Sequence, residues 1–177
     1  MILTSRSLNN HLSEYKFLRN EIDNSCSVLE KMHKDNLACS PGCTSCCMNF
    51  NVFPVEYFSI KEEISKMKVI INKNPSEGGC IFLVDNLCSI YRSRPIICRT
   101  HGLPLLSMGE EGWELSHCEL NFVHNQPGFN ETNTFPADRY NSKLFLLNRE
   151  FIKSFKGKSY SEFDLVPLSD LKSELYS

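Results

Sequence analysis

From Leu8 to Met32 the apolar residues Leu8, Leu12, Tyr15, Leu18, Ile22, Cys26, Leu29 and Met32 recur at steps of three and four. That is the spacing of one face of an amphipathic helix, so a long N-terminal helical region is expected over 8–37. Pro54 suits the first position of a second helix running to Ile71, with Val55, Phe58, Met67, Ile70 and Ile71 as its buried face. Two β-rich runs follow, 80–84 and 87–91. The pair Asp85-Asn86 between them tolerates the left-handed conformations of a two-residue hairpin. Pro95 is expected to start a further helical turn holding Cys98, Arg99 and His101. The run Leu103 to Cys118 reads as a second hairpin around Gly109-Glu-Glu-Gly112. The segment 121–136 reads as a surface loop. Tyr140, Leu144, Leu147, Phe151 and Phe155 restore the helical period before Gly157, and Leu168, Leu171 and Leu175 allow a last short helix. The expected fold is α+β, one small domain over 1–177. A cysteine-rich segment at 39–118, full of loops and hairpins, would lie between the N-terminal helix and C-terminal helices at 137–177.

Charge and composition then narrow the partners. Nineteen basic against 21 acidic residues leave a net charge of -2, which gives no field of one sign to hold nucleic acid or an anionic membrane. The content of large aliphatic and Phe residues lies above that of disordered chains. The N-terminal run mixes charged and polar residues where a signal peptide would need an apolar stretch, and no stretch is long enough to span a bilayer. A soluble cytoplasmic protein is expected, with no nucleic-acid or membrane partner, while a protein partner is left open.

Cysteine is the outlier, with nine residues in 177. An odd number without an export signal argues against a disulfide framework. Cys39, Cys43, Cys46 and Cys47 crowd into nine residues, beside the turn sequence Ser40-Pro41-Gly42. Such crowding suits chelation better than bridges to distant partners. Cys26 sits on the apolar stripe of the first helix and is assigned to the core. The remaining eight, Cys39, Cys43, Cys46, Cys47, Cys80, Cys88, Cys98 and Cys118, make two sets of four. Four thiolates satisfy a tetrahedral zinc ion or a four-iron, four-sulfur cluster. Adjacent side chains on extended backbone point opposite ways, so Cys46 and Cys47 are expected to serve two centres or one polynuclear centre. All-sulfur ligation argues against magnesium, calcium and manganese, which prefer oxygen. Spacing alone leaves zinc and iron–sulfur both open.

The run C-x3-C-x2-C-C, followed by Cys80-Ile-Phe-Leu, Leu87-Cys88-Ser-Ile-Tyr91 and Arg94-Pro95-Ile-Ile-Cys98-Arg99, resembles the YkgJ-type cysteine-cluster family. The resemblance covers residues 39 to 118. The family usually begins C-x2-C-x2-C-C, so one extra residue stands here between Cys39 and Cys43. The resemblance implies a zinc- or iron-chelating domain. Among the family's relatives are flagellin lysine N-methylases, so the alternative function is a redox or modifying enzyme built on an iron–sulfur centre.

Beyond the cysteines, Arg94 and Arg99 bracket Cys98. Either would offset a thiolate-rich centre, or tie down a loop carbonyl or carboxylate. His101 and His117 neighbour Cys98 and Cys118 in sequence, where either could replace a cysteine or donate a hydrogen bond to sulfur, but neither is assigned to the ligand set. Tyr91 is expected in the core, Glu110, Glu111 and Glu114 in solvent, and His11, His33 and His124 on the surface. No phosphate loop, nucleophile elbow, zinc-protease motif or dinucleotide fingerprint occurs, so no catalytic residue is identified.

Overall fold

The computed structural model describes residues 3–175 and has a mixed α+β architecture. Helix α1, Leu3–Met32, carries the predicted stripe. Leu12, Tyr15, Leu18, Ile22, Cys26 and Leu29 are all buried. At roughly 1.5–3 kcal/mol for each large side chain removed from water, this face alone fastens the helix to the body. The helix stops at Met32 instead of reaching 37, and a single 3-10 turn at Lys34–Asn36 follows. Helix α2, Pro54–Ile64, starts at the proline as expected. Its predicted extension to Ile71 is absent. The chain leaves the helix at Ser65, which leaves Met67 and Ile70 exposed while Ile71 folds back into the core.

Both hairpins form. The first is shorter than the β-rich runs suggested, pairing only β2, Leu83–Val84, with β3, Leu87–Cys88. Asp85 and Asn86 take φ of 50° and 60°, the left-handed pair of a type I′ turn. The second pairs β4, Leu105–Gly109, with β5, Gly112–Ser116. Helix α3, Ile96–Thr100, is the turn after Pro95 and holds Cys98 and Arg99, while His101 caps it. Helix α4 spans Ala137–Ser154 and α5 spans Leu171–Leu175.

Two pairings were not foreseen. Strand β1, Asn51–Val52, lies antiparallel to β7, Val166–Pro167, and β4 takes β6, Phe135–Pro136, as a parallel neighbour. These short ladders close the long connections over the cysteine-rich segment. Two apolar clusters result. One joins α1, the start of α2 and of α3, and α4. The other joins the rest of α2 to the first hairpin and the C-terminal strand and helix. Among the described residues no helix is long and apolar enough to cross a membrane.

Beneath α1 lies a buried polar knot. Glu56 is the third residue of α2, and its carboxylate reaches back to the backbone N–H of Phe53, which precedes the helix. Glu56 Oε1 also accepts the Tyr15 hydroxyl at 2.9 Å and the Ile96 N–H at 3.0 Å. Pro95 offers α3 no capping side chain, so Glu56 caps that helix from across the core. Burial pushes the Glu56 carboxyl above its ordinary range, although these donors and nearby Arg99 oppose the rise. Arg99 is itself buried. It holds Asp23 at 2.6 and 2.5 Å, donates to the Arg94 carbonyl at 2.8 Å and also binds the Arg92 carbonyl. Of the two roles open to Arg99, the structure shows the fastening one.

Candidate metal centre

The first cysteine group lies on turns. Gly42 at φ +94° and a Cys43 N–H to Ser40 carbonyl bond of 3.0 Å close the predicted Ser-Pro-Gly turn. A second turn, Cys47 N–H to Thr44 carbonyl at 2.8 Å, carries Cys46 and Cys47. Their thiols lie close enough for each to influence the other's ionisation. The expectation of opposed side chains assumed extended backbone, whereas these two cysteines sit at a turn.

The hairpin motifs have a clear local role. The backbone amides of Phe82 and Leu83 near Cys80, and that of Ile90 near Cys88, favour the charged thiolates and oppose the rise that burial causes. In each motif the chain therefore curls back so that amide dipoles face the sulfur. Such dipoles favour a charged thiolate.

The cysteines are near enough to sense one another's charge. Cys47 responds to Cys46, Cys80 and Cys88, and Cys98 to Cys80, Cys88 and Cys46. Cys46 responds to Cys43 and Cys39. Burial first, and these like charges second, push Cys98 up to about 12 and Cys47 to about 11. Cys46, Cys80 and Cys88 are likewise raised, chiefly by burial. A cation entering such a group must displace protons, and it supplies the positive charge that five crowded sulfurs lack. Arg94 already pulls the other way on Cys88 and Cys98. Its guanidinium carbon stands 4.0 Å from the centroid of the Tyr91 ring. Tyr91 is thus an exposed platform for Arg94, not core as expected.

Cys39 stands at the other end of the group. Asn121 Nδ2 lies 3.5 Å from its sulfur. Cys118 comes two residues after β5, and its carbonyl accepts the Asn121 N–H at 3.0 Å. All nine cysteines are free, and Cys26 is buried in the core as expected. Among the described residues, no three His, Cys, Asp or Glu side chains stand in ready coordination geometry. The donor set is nonetheless the right one for zinc or iron–sulfur chemistry, with free thiols close together and amides aimed at their sulfurs.

The histidines divide. His101 is exposed and packs near Phe50, with ring centroids 6.4 Å apart. His117 bonds through Nδ1 to the Cys118 carbonyl at 3.0 Å and meets Phe122 edge-on. His124 is exposed, whereas His33 is buried, contrary to the expected surface position. Its Nε2 donates to the Asn133 carbonyl at 2.7 Å, which pins the long loop. His33 lies four residues after Leu29 and simply continues the α1 stripe, a signal the sequence carried. Glu110, Glu111 and Glu114 are exposed as expected.

No curated protein and no solved structure matches this chain. A family model does match residues 38–119, and its description reads CxxCxxCC: Putative zinc- or iron-chelating domain. The match begins one residue before Cys39 and ends one residue after Cys118, so it takes in every cysteine except Cys26. Residues 38–119, the cysteine-bearing segment of this chain, are thus similar to the zinc- or iron-chelating domain that the CxxCxxCC family model describes.

Proposed function

We propose that the eight cysteines from Cys39 to Cys118 are the ligands, and that they divide into two adjoining sets. Cys47, Cys80, Cys88 and Cys98 form the first set, and Cys39, Cys43, Cys46 and Cys118 the second. The observation that carries this reading is the nearness of free thiols: Cys47 and Cys98 each respond to both hairpin cysteines and Cys46 responds to Cys39 and Cys43, while the response of Cys98 to Cys46 joins the two sets. Cys118 joins the second set through the turn it shares with Asn121, which touches Cys39. Cys46 and Cys47, adjacent in the chain and within reach of each other's charge, would put the two sets side by side.

Each set holds zinc or forms an iron–sulfur cluster, and the bound metal draws sulfurs together that otherwise repel when ionised. Metal binding and local folding are then one process. The chain works as one domain, because the apolar clusters combine the outer helices with residues of the chelating segment. Free thiols throughout suit a reducing compartment such as the cytoplasm.

The test is metal, sulfide and thiol analysis of protein purified without air, with its visible spectrum. Colourless protein carrying two zinc ions per chain supports structural zinc sites, whereas brown protein with iron and acid-labile sulfide supports clusters. Protein that holds no metal, and whose Cys80→Ser and Cys98→Ser variants take up zinc as the parent does, would refute the assignment.

A further inference from the structure

Cys39 is the one residue of its group in an exposed position, and the chain has an extra residue between it and Cys43. Its sulfur is nevertheless seated in a built cradle. Asn121 is buried to 1% exposure, and every polar atom of its side chain is engaged. Oδ1 accepts the Ala38 N–H at 2.8 Å, and one N–H of Nδ2 donates to the Gly102 carbonyl at 2.7 Å. Nδ2 also lies 3.5 Å from Cys39 Sγ, within the reach of a hydrogen bond to sulfur. Gly102 completes the cradle. It takes φ +97°, and a Cβ there would stand 2.9 Å from the Cys39 sulfur and 3.3 Å from Asn121 Nδ2. Only glycine leaves room for the sulfur at that conformation.

The turn that presents Asn121 is itself locked. Phe122 is a buried non-glycine residue at φ +59°, a conformation held by its N–H bond to the Asn36 carbonyl at 2.8 Å. The segment 118–122 is thereby bound to the segment 36–39 by backbone, side chain and sulfur together.

We propose that Asn121, outside the matched segment, is a positioning residue for Cys39. Its amide fixes the sulfur beside Gly102 and donates an N–H···S hydrogen bond to the metal-bound thiolate. This inference rests on the reading of Cys39 as a ligand. An amide donor to a ligating sulfur takes up part of its charge and fixes its direction, so it tunes both affinity and the electronic character of the bond. Asn121→Asp is the discriminating change. It has nearly the same shape and keeps an acceptor for Ala38, but it replaces the N–H donor with an oxygen facing sulfur.

The test uses the full chain reconstituted with cobalt(II) without air, read by the sulfur-to-cobalt absorption and by competition with a chelator. Asn121→Asp and Asn121→Ser should each weaken cobalt binding about 10- to 100-fold and shift the sulfur-to-cobalt band. In a Cys39→Ser background the same changes should have no further effect, since the coupling runs through that sulfur. Asn121→Ser serves where a buried carboxylate prevents folding. Unchanged affinity and spectrum in the Asn121 variants would overturn the proposal. So would losses of equal size with and without Cys39, which would make Asn121 a structural residue only. A parent protein that binds no cobalt would instead overturn the metal reading itself, and the proposal with it.

Discussion

Removal of the Glu56 carboxylate is the sharpest probe of how the helices hold the cysteine-bearing segment. Glu56→Ala leaves the Tyr15 hydroxyl and the Ile96 N–H without partners inside the core, where Tyr15 is 0% exposed. Each buried donor left unpaired costs about 1–3 kcal/mol, and the vacated side-chain volume adds to that, so a loss of about 3–5 kcal/mol is expected. The assay is denaturant unfolding of metal-loaded protein followed by far-UV circular dichroism. Tyr15→Phe supplies the internal control. In the parent it removes one hydrogen bond and costs about 0.5–1.5 kcal/mol. In the Glu56→Ala background it removes an orphaned hydroxyl and should be neutral or stabilising. A Glu56→Ala cost below about 1 kcal/mol, or an equal Tyr15→Phe cost in both backgrounds, would refute the account of this knot as a hydrogen-bonded cap for α3.

Other outcomes follow from the same contacts. Because Glu56 has a folded-state pKa above its ordinary 4.5, its folded form retains a proton that the unfolded chain has lost. Stability should therefore fall as pH rises from about 4.5 through the folded-state value, and Glu56→Gln should flatten that slope in denaturant midpoints. Glu62 has the opposite sign, since hydrogen bonds from Lys16 and Lys66 hold it below the usual carboxylate range. Its contribution is present above about 4.5 and vanishes as pH falls through the lowered value, and it should disappear from acid titrations of Glu62→Gln. Phe151→Ala should cost about 3–5 kcal/mol in the same unfolding assay, because the ring is fully enclosed between α1, α2 and α4. Chelator treatment should open the segment 39–118 to limited proteolysis ahead of α1 and α4. Identical cleavage with and without metal would contradict a structural role for the centre.

Local signals in the sequence carried much of this architecture. The α1 stripe, Pro54, the Asp85-Asn86 turn and the Gly109–Gly112 hairpin each depend on residues close in the chain, and each formed. The clustered cysteines pointed to metal binding for the same reason, since chelating spacing is a local property. What stayed hidden depends on contacts between distant residues. The ladders β1–β7 and β4–β6 are two residues long and have no period to detect. The end of α2 was misread because Met67 and Ile70 are apolar at helical spacing, and only the tertiary path shows them facing water. Glu56 and Asn121 were missed because a buried polar residue looks like a surface one until its partners are known. His101 and His117 were named for adjacency along the chain, yet the structure sends them to Phe50 and Phe122.

Cys26 gives the molecule a built-in reporter. It lies on the buried face of α1 at 4% exposure, and burial pushes its thiol up to about 12. An alkylating reagent should therefore reach the other eight sulfurs of metal-stripped protein through local fluctuations, whereas Cys26 reacts only when α1 leaves the core. Mass spectra taken over time would then separate opening of the chelating segment from detachment of the long helix, on one unmodified chain and without an added probe.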